Sequence, residues 1–186
     1  MSRASVACRV GPFQYLHFEE INSTQFYLRD RIEEIDEWIC VTADTQTAGI
    51  GQYDRKWYSP PGVNLYMSLA FPFPLARKPL LQRHLTQVTT VTLAGILSRI
   101  GLSPQIKWIN DLLLAGKKCA GVLCELHTSP KGREVALVGV GLNVNLDPTT
   151  IPADTALDQP VTSIQAILGH TYSRELLLKA LMGCIY

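Results

Sequence analysis

From Ile106 to Val144 the chain reads as short apolar segments joined by tight polar connections, and this pattern limits the folds open to it. Ile106–Trp108 and Leu112–Leu114 flank a short connection, and Ala115-Gly116-Lys117 suits a hairpin turn. Cys119–Leu126 and Glu134–Val144 read as strands paired across the polar connector HTSPKGR. In the first half, residues 11–22 enter as an extended segment, and Asn22-Ser23-Thr24 offers N-cap chemistry. The helix it would start carries Tyr27, Leu28, Ile32 and Ile35 at helical spacing. Ile39–Ala43 is short and β-branched, and Leu65, Met67 and Leu69 alternate with Tyr66 and Ser68, so both read as strands. Prolines 72, 74 and 79 precede a long helix around residues 80–99 that Gly101 closes. After residue 146 a loop rich in proline and aspartate leads to two short helices, around 162–168 and 174–184, with Ser163 and Ser173 near their starts. Hairpins with helices grouped between them predict an α+β fold rather than a doubly wound parallel sheet.

Length and composition suit one globular domain. The 186 residues are 47% hydrophobic and 18% charged, enough apolar surface for a substantial core and too little charge for disorder. A net charge of +1 gives no electrostatic reason to expect nucleic acid as the main partner. No apolar run approaches the roughly 20 residues of a membrane span, and the N-terminus lacks the apolar core of a secretory signal. The cytoplasm is the expected compartment. The five cysteines (Cys8, Cys40, Cys119, Cys124 and Cys184) form no CxxC pair and no Cys/His set at zinc spacing. They read as reduced thiols, mostly buried, and no protein-held metal site is expected.

Residues 42–69 carry the first chemical signal. A glycine-rich polar loop runs through Arg55-Lys56-Trp57 into a Pro-Pro-Gly turn and an apolar strand. Backbone N–H groups beside Gly49 and Gly51 are free to converge on an anion. Ser23, Thr24 and Gln25 read first as a helix start, whose hydroxyls can also bond a polar ligand head. Gln46 presents a donor and an acceptor together, a match for a cyclic urea. Arg55 and Trp57 can clamp a nucleotide, guanidinium on phosphate and indole on base, or be a basic turn with a core tryptophan. Lys107 can be a surface lysine, or the ammonium that meets a carboxylate and a phosphate in a cleft. Asn143, beyond Gly139-x-Gly141, can read an adenine edge or serve as a structural amide.

In order and spacing these pieces resemble the catalytic domain of the biotin protein ligases. The motifs are Ser23-Thr24-Gln25, Gln46 with Arg55-Lys56-Trp57-Tyr58-Ser59-Pro60, Asn64–Ser68, Lys107–Asp111, Lys118–Glu125 and Gly139–Asn143. The resemblance covers about residues 15–146. It implies a mixed, largely antiparallel sheet with helices packed on it, the class II aminoacyl-tRNA synthetase-like architecture. It also implies a two-step reaction. With ATP and Mg²⁺, biotin becomes biotinyl-adenylate, and a lysine of the biotin carboxyl carrier protein of acetyl-CoA carboxylase then takes the acyl group. By position, Ser23, Thr24, Gln25 and Gln46 would hold the ureido ring, and the backbone of Gly49, Ile50, Gly51 and Gln52 would cover the carboxylate. Lys107 would stabilise charge at the reacting groups, with Arg55 beside it, while Arg55, Trp57, Lys118 and Asn143 would bind ATP. A homodimer is also what the resemblance implies. Lipoate or octanoate transfer, and a non-catalytic biotin-binding module, are the rival readings.

Departures from the family pattern carry expectations of their own. Where the family loop reads Gly-Arg-Gly-Arg-x-Gly, this chain has Gly49-Ile50-Gly51-Gln52-Tyr53-Asp54, so two arginines are gone and Asp54 brings a negative charge near the expected anion. Weaker retention of the adenylate is the expected result. Ile109 stands for the usual proline, and Gln25 for asparagine. About twenty residues precede the first motif and about forty follow Asn145. The expectation is therefore a single catalytic domain over 1–186, without a DNA-binding helix-turn-helix domain or C-terminal β-barrel.

Overall fold

Alternation along the strands decides the layering. On β4 (Leu65–Phe73), Leu65, Met67, Leu69 and Phe71 bury into one core, while Ala70 buries into a second core on the other face. The structure, a computed structural model, describes residues 4–73, 78–130 and 132–186. Pro74 and Lys131 of the expected connections lie outside the described residues.

Eight strands form one sheet. The others are β1 (Val6–Val10), β2 (Phe13–Ile21), β3 (Trp38–Gln46), β5 (Gln105–Lys107), β6 (Asp111–Leu114), β7 (Lys117–Thr128) and β8 (Glu134–Leu142). Their order is β1-β2-β3-β4-β8-β7-β6-β5. Every neighbouring pair is antiparallel except β2 and β3. The larger core lies under α2 (Lys78–Arg99) and α4 (Arg174–Ile185), and includes Leu93, Leu97, Val138, Val140 and Leu181. The smaller core, with Phe18, Leu28, Ile35, Val41 and Leu137, lies under α1 (Thr24–Arg29). A short helix, α3 (Ile164–Leu168), precedes α4, and Ser163 and Ser173 cap the two by accepting from the N–H groups of Ala166 and Leu176. Among the described residues no helix is long and apolar enough to cross a membrane.

The α+β architecture is the expected one, with several shifts. β1 was not expected; it is exposed throughout and, as an edge strand, pairs in the sheet with β2 alone, so its residues carry no burial pattern. The helix after Ser23 is shorter than the spacing predicts. Parallel pairing of β2 with β3 demands a crossover, and residues 22–37 supply it as α1 followed by a separate 3₁₀ turn, Ile32–Glu34. β7 starts at Lys117, leaving Ala115 and Gly116 as the turn, both at positive φ (48° and 73°). That geometry suits a two-residue hairpin. β8 ends at Leu142, so Asn143 sits just past the strand.

Candidate functional site

The face of the sheet away from α2 is hollowed by sequence. Gly139 and Gly141 are two residues apart on β8 and so share a face, and Gly121 on β7 stands opposite Gly141. A Cβ at Gly141 would lie 2.5 Å from the Trp57 ring, and one at Gly121 would lie 2.9 Å from it. At Gly139 a Cβ would come within 2.8 Å of Gln25 Oε1. Absent side chains thus admit an indole and an amide to the backbone of the central strands.

Above this floor lies a cavity of about 480 Å³. Its walls include Ser23, Thr24 and Gln25 from the start of α1, Gln46 from the end of β3, and Tyr66 and Ser68 from β4. Ile50, Gly51 and Gln52 close it from the loop, and Trp57, Asn110 and Lys118 form its far wall. A second cavity of about 700 Å³ shares Gly51, Gln52, Trp57, Asn110 and Lys118 with the first. It is further lined by Arg55, Lys56, Asp111, Asn143, Leu157, Asp158 and Val161.

Polar groups at the α1 end of the first cavity are bonded to one another. Gln46 Oε1 accepts from Thr24 N–H (2.9 Å) and Thr24 Oγ1 (3.2 Å), and Gln46 Nε2 donates to Ser59 Oγ (3.1 Å). Thr24 Oγ1 and Ser68 Oγ are 2.9 Å apart, and Ser68 Oγ donates to Gln25 Oε1 (2.9 Å). Ser23 Oγ accepts from Gln25 N–H, so the first N–H groups of α1 are already partnered. Burial pushes the Tyr66 hydroxyl well above the usual phenol range, and it stays a neutral donor to Pro60 O.

Lys118 is the only charged side chain among the described residues lining the first cavity. The side chain is 13% exposed, and its amine is 3.1 Å from Asp111 Oδ1 in an ion pair and 5.2 Å from the Trp57 ring centre. Asp111 Oδ2 accepts from Gln159 Nε2 (2.8 Å), and Gln159 Oε1 accepts from Lys107 Nζ (2.7 Å). Lys107 therefore corrects the sequence reading. It is exposed on edge strand β5, lies outside both cavities, and reaches the site only through Gln159 and Asp111. The physical reason is register: β5 is three residues at the sheet margin, whereas β7 runs beside β8 over the hollow.

Other expected residues divide similarly. Ser23, Thr24, Gln25, Gln46, Ile50, Gly51 and Gln52 come together on the first cavity. Gly49 is buried behind them, where a Cβ would meet Ser59 Oγ and Trp57 O at 2.7 Å. The loop folds on itself, with Gly51 N–H donating to Arg55 O (2.8 Å) and Trp57 N–H to Gly49 O (2.9 Å). The Gly51 N–H is thus spent within the loop rather than offered to an anion. Asp54 stands at φ 57°, exposed and outside both cavities, so the negative charge expected near the anion is turned away. Asparagine and aspartate tolerate this left-handed geometry better than most residues, which explains how aspartate can stand where the family pattern has glycine. Arg55 lines the second cavity but pairs with Asp158 (2.8 Å). Asn143 lines it too, with its amide committed to Thr162 O (3.0 Å) and Asn64 Nδ2 (3.4 Å).

The sequence motifs contained Ser68, Asn110 and Asp111 without giving them a role, and Gln159 lay outside every motif. Ser68, a polar residue in an otherwise apolar strand, was the readable signal. Gln159 had none, since a loop residue 48 positions from Asp111 meets it only through folding.

The pattern of the biotin/lipoate A/B protein ligase family matches residues 17–145. The bifunctional ligase/repressor BirA of Bacillus subtilis is 33% identical over 151 residues, 80% of this chain and 45% of that protein. The biotin–[acetyl-CoA-carboxylase] ligase of Paracoccus denitrificans is 32% identical over 143 residues, 73% of this chain and 56% of that protein. The chain thus spans about half the length of these curated relatives. A biotin protein ligase from Aquifex aeolicus, solved in complex with biotin and ATP, superposes with a TM-score of 0.73 at 30% identity, over 92% of this chain and 68% of that one. With its hollowed sheet, paired cavities and matched span, the chain belongs to the biotin/lipoate A/B protein ligase family.

Proposed function

We propose that the chain attaches biotin to a lysine of a carrier protein through a biotinyl-adenylate, with ATP as the activating substrate and the carrier domain of acetyl-CoA carboxylase as the acceptor. The observation that carries this reading is the charge layout of the first cavity. Its α1 end holds uncharged donors and acceptors, its middle is apolar or glycine, and its single cation, Lys118, stands at the wall shared with the second cavity. Biotin has the same sequence of parts: a polar urea, an apolar ring and chain, and a carboxylate. Lipoate and octanoate lack the polar head, and would leave the Gln46, Thr24 and Ser68 groups without a ligand partner.

On this reading the carboxylate lies at the shared wall and the nucleotide fills the larger cavity. A carboxylate oxygen attacks the α-phosphorus, the bond to the bridging oxygen of the β-phosphate breaks, and pyrophosphate leaves. Lys118 faces the oxygens on which negative charge gathers, and Asp111 holds the amine in place. The role that sequence analysis gave Lys107 passes to Lys118. Trp57 offers its ring to the base or sugar, and Arg55, once released from Asp158, offers its guanidinium to phosphate. The acceptor lysine, as a neutral amine, then attacks the acyl carbon; an amide forms, AMP departs, and the amine proton passes to solvent. Positioning and charge do the work, without a protein nucleophile.

Magnesium accompanies ATP in what the resemblance implies. Among the described residues no group of three metal-ligating side chains occurs, and the carboxylates on the second cavity are Asp111, bonded to Lys118 and Gln159, and Asp158, paired with Arg55, so an ion there would be held mainly by phosphate oxygens and water. A homodimer, a cytoplasmic location and the absence of DNA binding stay with the resemblance and the composition that suggested them.

Biotin-dependent release of pyrophosphate from ATP tests the proposal. Release with biotin and none with lipoate or octanoate is the expected result. Biotin binding without release would make the chain a binding module instead.

A further inference from the structure

Behind the α1 end of the cavity sits a charged cluster that contributes no lining. Glu125 on β7 is paired with Arg29 at the end of α1 (2.5 Å) and with His127 Nε2 (3.0 Å). It follows Leu123 by two residues, so it shares the face on which Gly121 and Leu123 line the cavity. Gln25 lies over Gly139 in the same region and is 3% exposed. Its Oε1 accepts from Ser68 Oγ, while its Nε2 makes no hydrogen bond of regular geometry.

We infer that Glu125 is a positioning residue for ligand binding, fixing which way the Gln25 amide faces and thereby the donor and acceptor pattern that the buried polar strip shows to the ligand. This rests on the proposed reading of the cavity as a biotin site.

The argument is one of hydrogen count. Gln25 and Arg29 are four residues apart on α1 and so share a face, which sets Gln25 beside the Arg29–Glu125 pair. Because an ionised carboxylate only accepts, the amide end that suits it is Nε2. Reversed, Gln25 would set Oε1 against negative charge. With Nε2 so directed, Oε1 is left for Ser68, and the single Ser68 hydroxyl hydrogen is committed to it. Ser68 Oγ then has only lone pairs to offer Thr24 or a ligand N–H. Thr24 shares its one hydrogen between Ser68 Oγ and Gln46 Oε1, and Gln46 Nε2 keeps a second N–H beyond the one given to Ser59. The strip so ordered meets a ligand carrying N–H groups with acceptors. The amide also helps hold the Glu125 carboxyl below its ordinary range, consistent with that orientation.

The test is a double-mutant cycle in biotin binding, read by calorimetry on the full chain. Glu125→Gln is expected to weaken biotin binding about tenfold, because a neutral amide can present either end to Gln25. In a Gln25→Leu background the same change should shift binding by less than about twofold, since no amide remains to orient. Equal losses in both backgrounds would mean that Glu125 acts only on the fold, and would overturn the inference. Should Glu125→Gln not fold by thermal unfolding, Glu125→Asp, which keeps the charge but withdraws it, carries the same prediction. Biotin binding unaltered by either substitution sinks this inference alone. No biotin binding by the unaltered chain sinks the functional reading and this inference with it.

Discussion

At the scale of single residues, two lysines eleven positions apart in sequence have unequal access to the site. Lys118 Nζ stands at the wall between the two cavities, whereas Lys107 meets Gln159 outside them. Lys118→Ala should lower biotin-dependent pyrophosphate release by about a hundredfold or more, the scale of losing one charge-stabilising donor. Lys107→Ala should stay within about threefold in the same assay, since its contact is an exposed one. Equal losses would return Lys107 to the mechanism. Glu125 gives a second residue-level prediction. Burial alone would raise its carboxyl, but hydrogen bonds from His127 and Arg29, the Arg29 charge and the Gln25 amide outweigh this and bring it down to about 2 from 4.5. A carboxylate depressed in the folded state stabilises the protein above its unfolded value and loses that contribution as pH falls through its folded value. Stability should therefore decline between about pH 4.5 and 2, by at most about 3 kcal/mol from this group. Denaturant titrations across that range should show the decline in the native chain and a flatter profile in Glu125→Gln.

At the scale of elements, the hairpin of β7 and β8 is both scaffold and binding floor. Its Val122, Val138 and Val140 bury into the larger core, while Gly121, Gly139 and Gly141 on the opposite face leave room for Trp57 and Gln25. One strand thus reads apolar on one side and empty on the other, which period-two alternation permits. Gly141→Ala should leave the core intact and dislodge the Trp57 ring, because the new methyl would lie 2.5 Å from it. Nucleotide affinity should fall about tenfold or more, with a stability loss of about 1–3 kcal/mol from overpacking. A shift in tryptophan fluorescence without loss of far-ultraviolet helix signal would mark the displacement. An unchanged spectrum and unchanged affinity would show that the indole is not seated in the glycine hollow. The loop 49–57 is likewise an element with its own closure, a small hairpin whose N–H groups partly serve itself.

At the scale of the whole molecule, the sheet and its two cores decide what solvent can reach. Burial pushes the thiols of Cys40, Cys119 and Cys124 up to about 12, so they stay protonated and inert near neutral pH, while Cys8 and Cys184 are exposed. A thiol reagent should modify two of the five cysteines in the folded chain and all five in denaturant. Rapid modification of a third in native buffer would contradict the burial of β3 and β7. Hairpin turns, N-cap serines and strand alternation were legible in the sequence because each depends on neighbours a few residues away: Ala115-Gly116, Ser163, Ser173, and the Leu65–Leu69 pattern. The polar cluster of Ser23, Thr24, Gln25 and Gln46 was legible as a motif, though its internal hydrogen bonds were not. The choice between Lys107 and Lys118, the outward turn of Asp54 and the capture of Asn143 by Thr162 all depend on partners brought together from distant parts of the chain. By itself the sequence determined the kind of strands, their turns and the residue types available to a polar pocket. Only the tertiary structure decided which cation faces the cavity, because strand order and register, unlike local propensity, are settled by packing across the whole sheet.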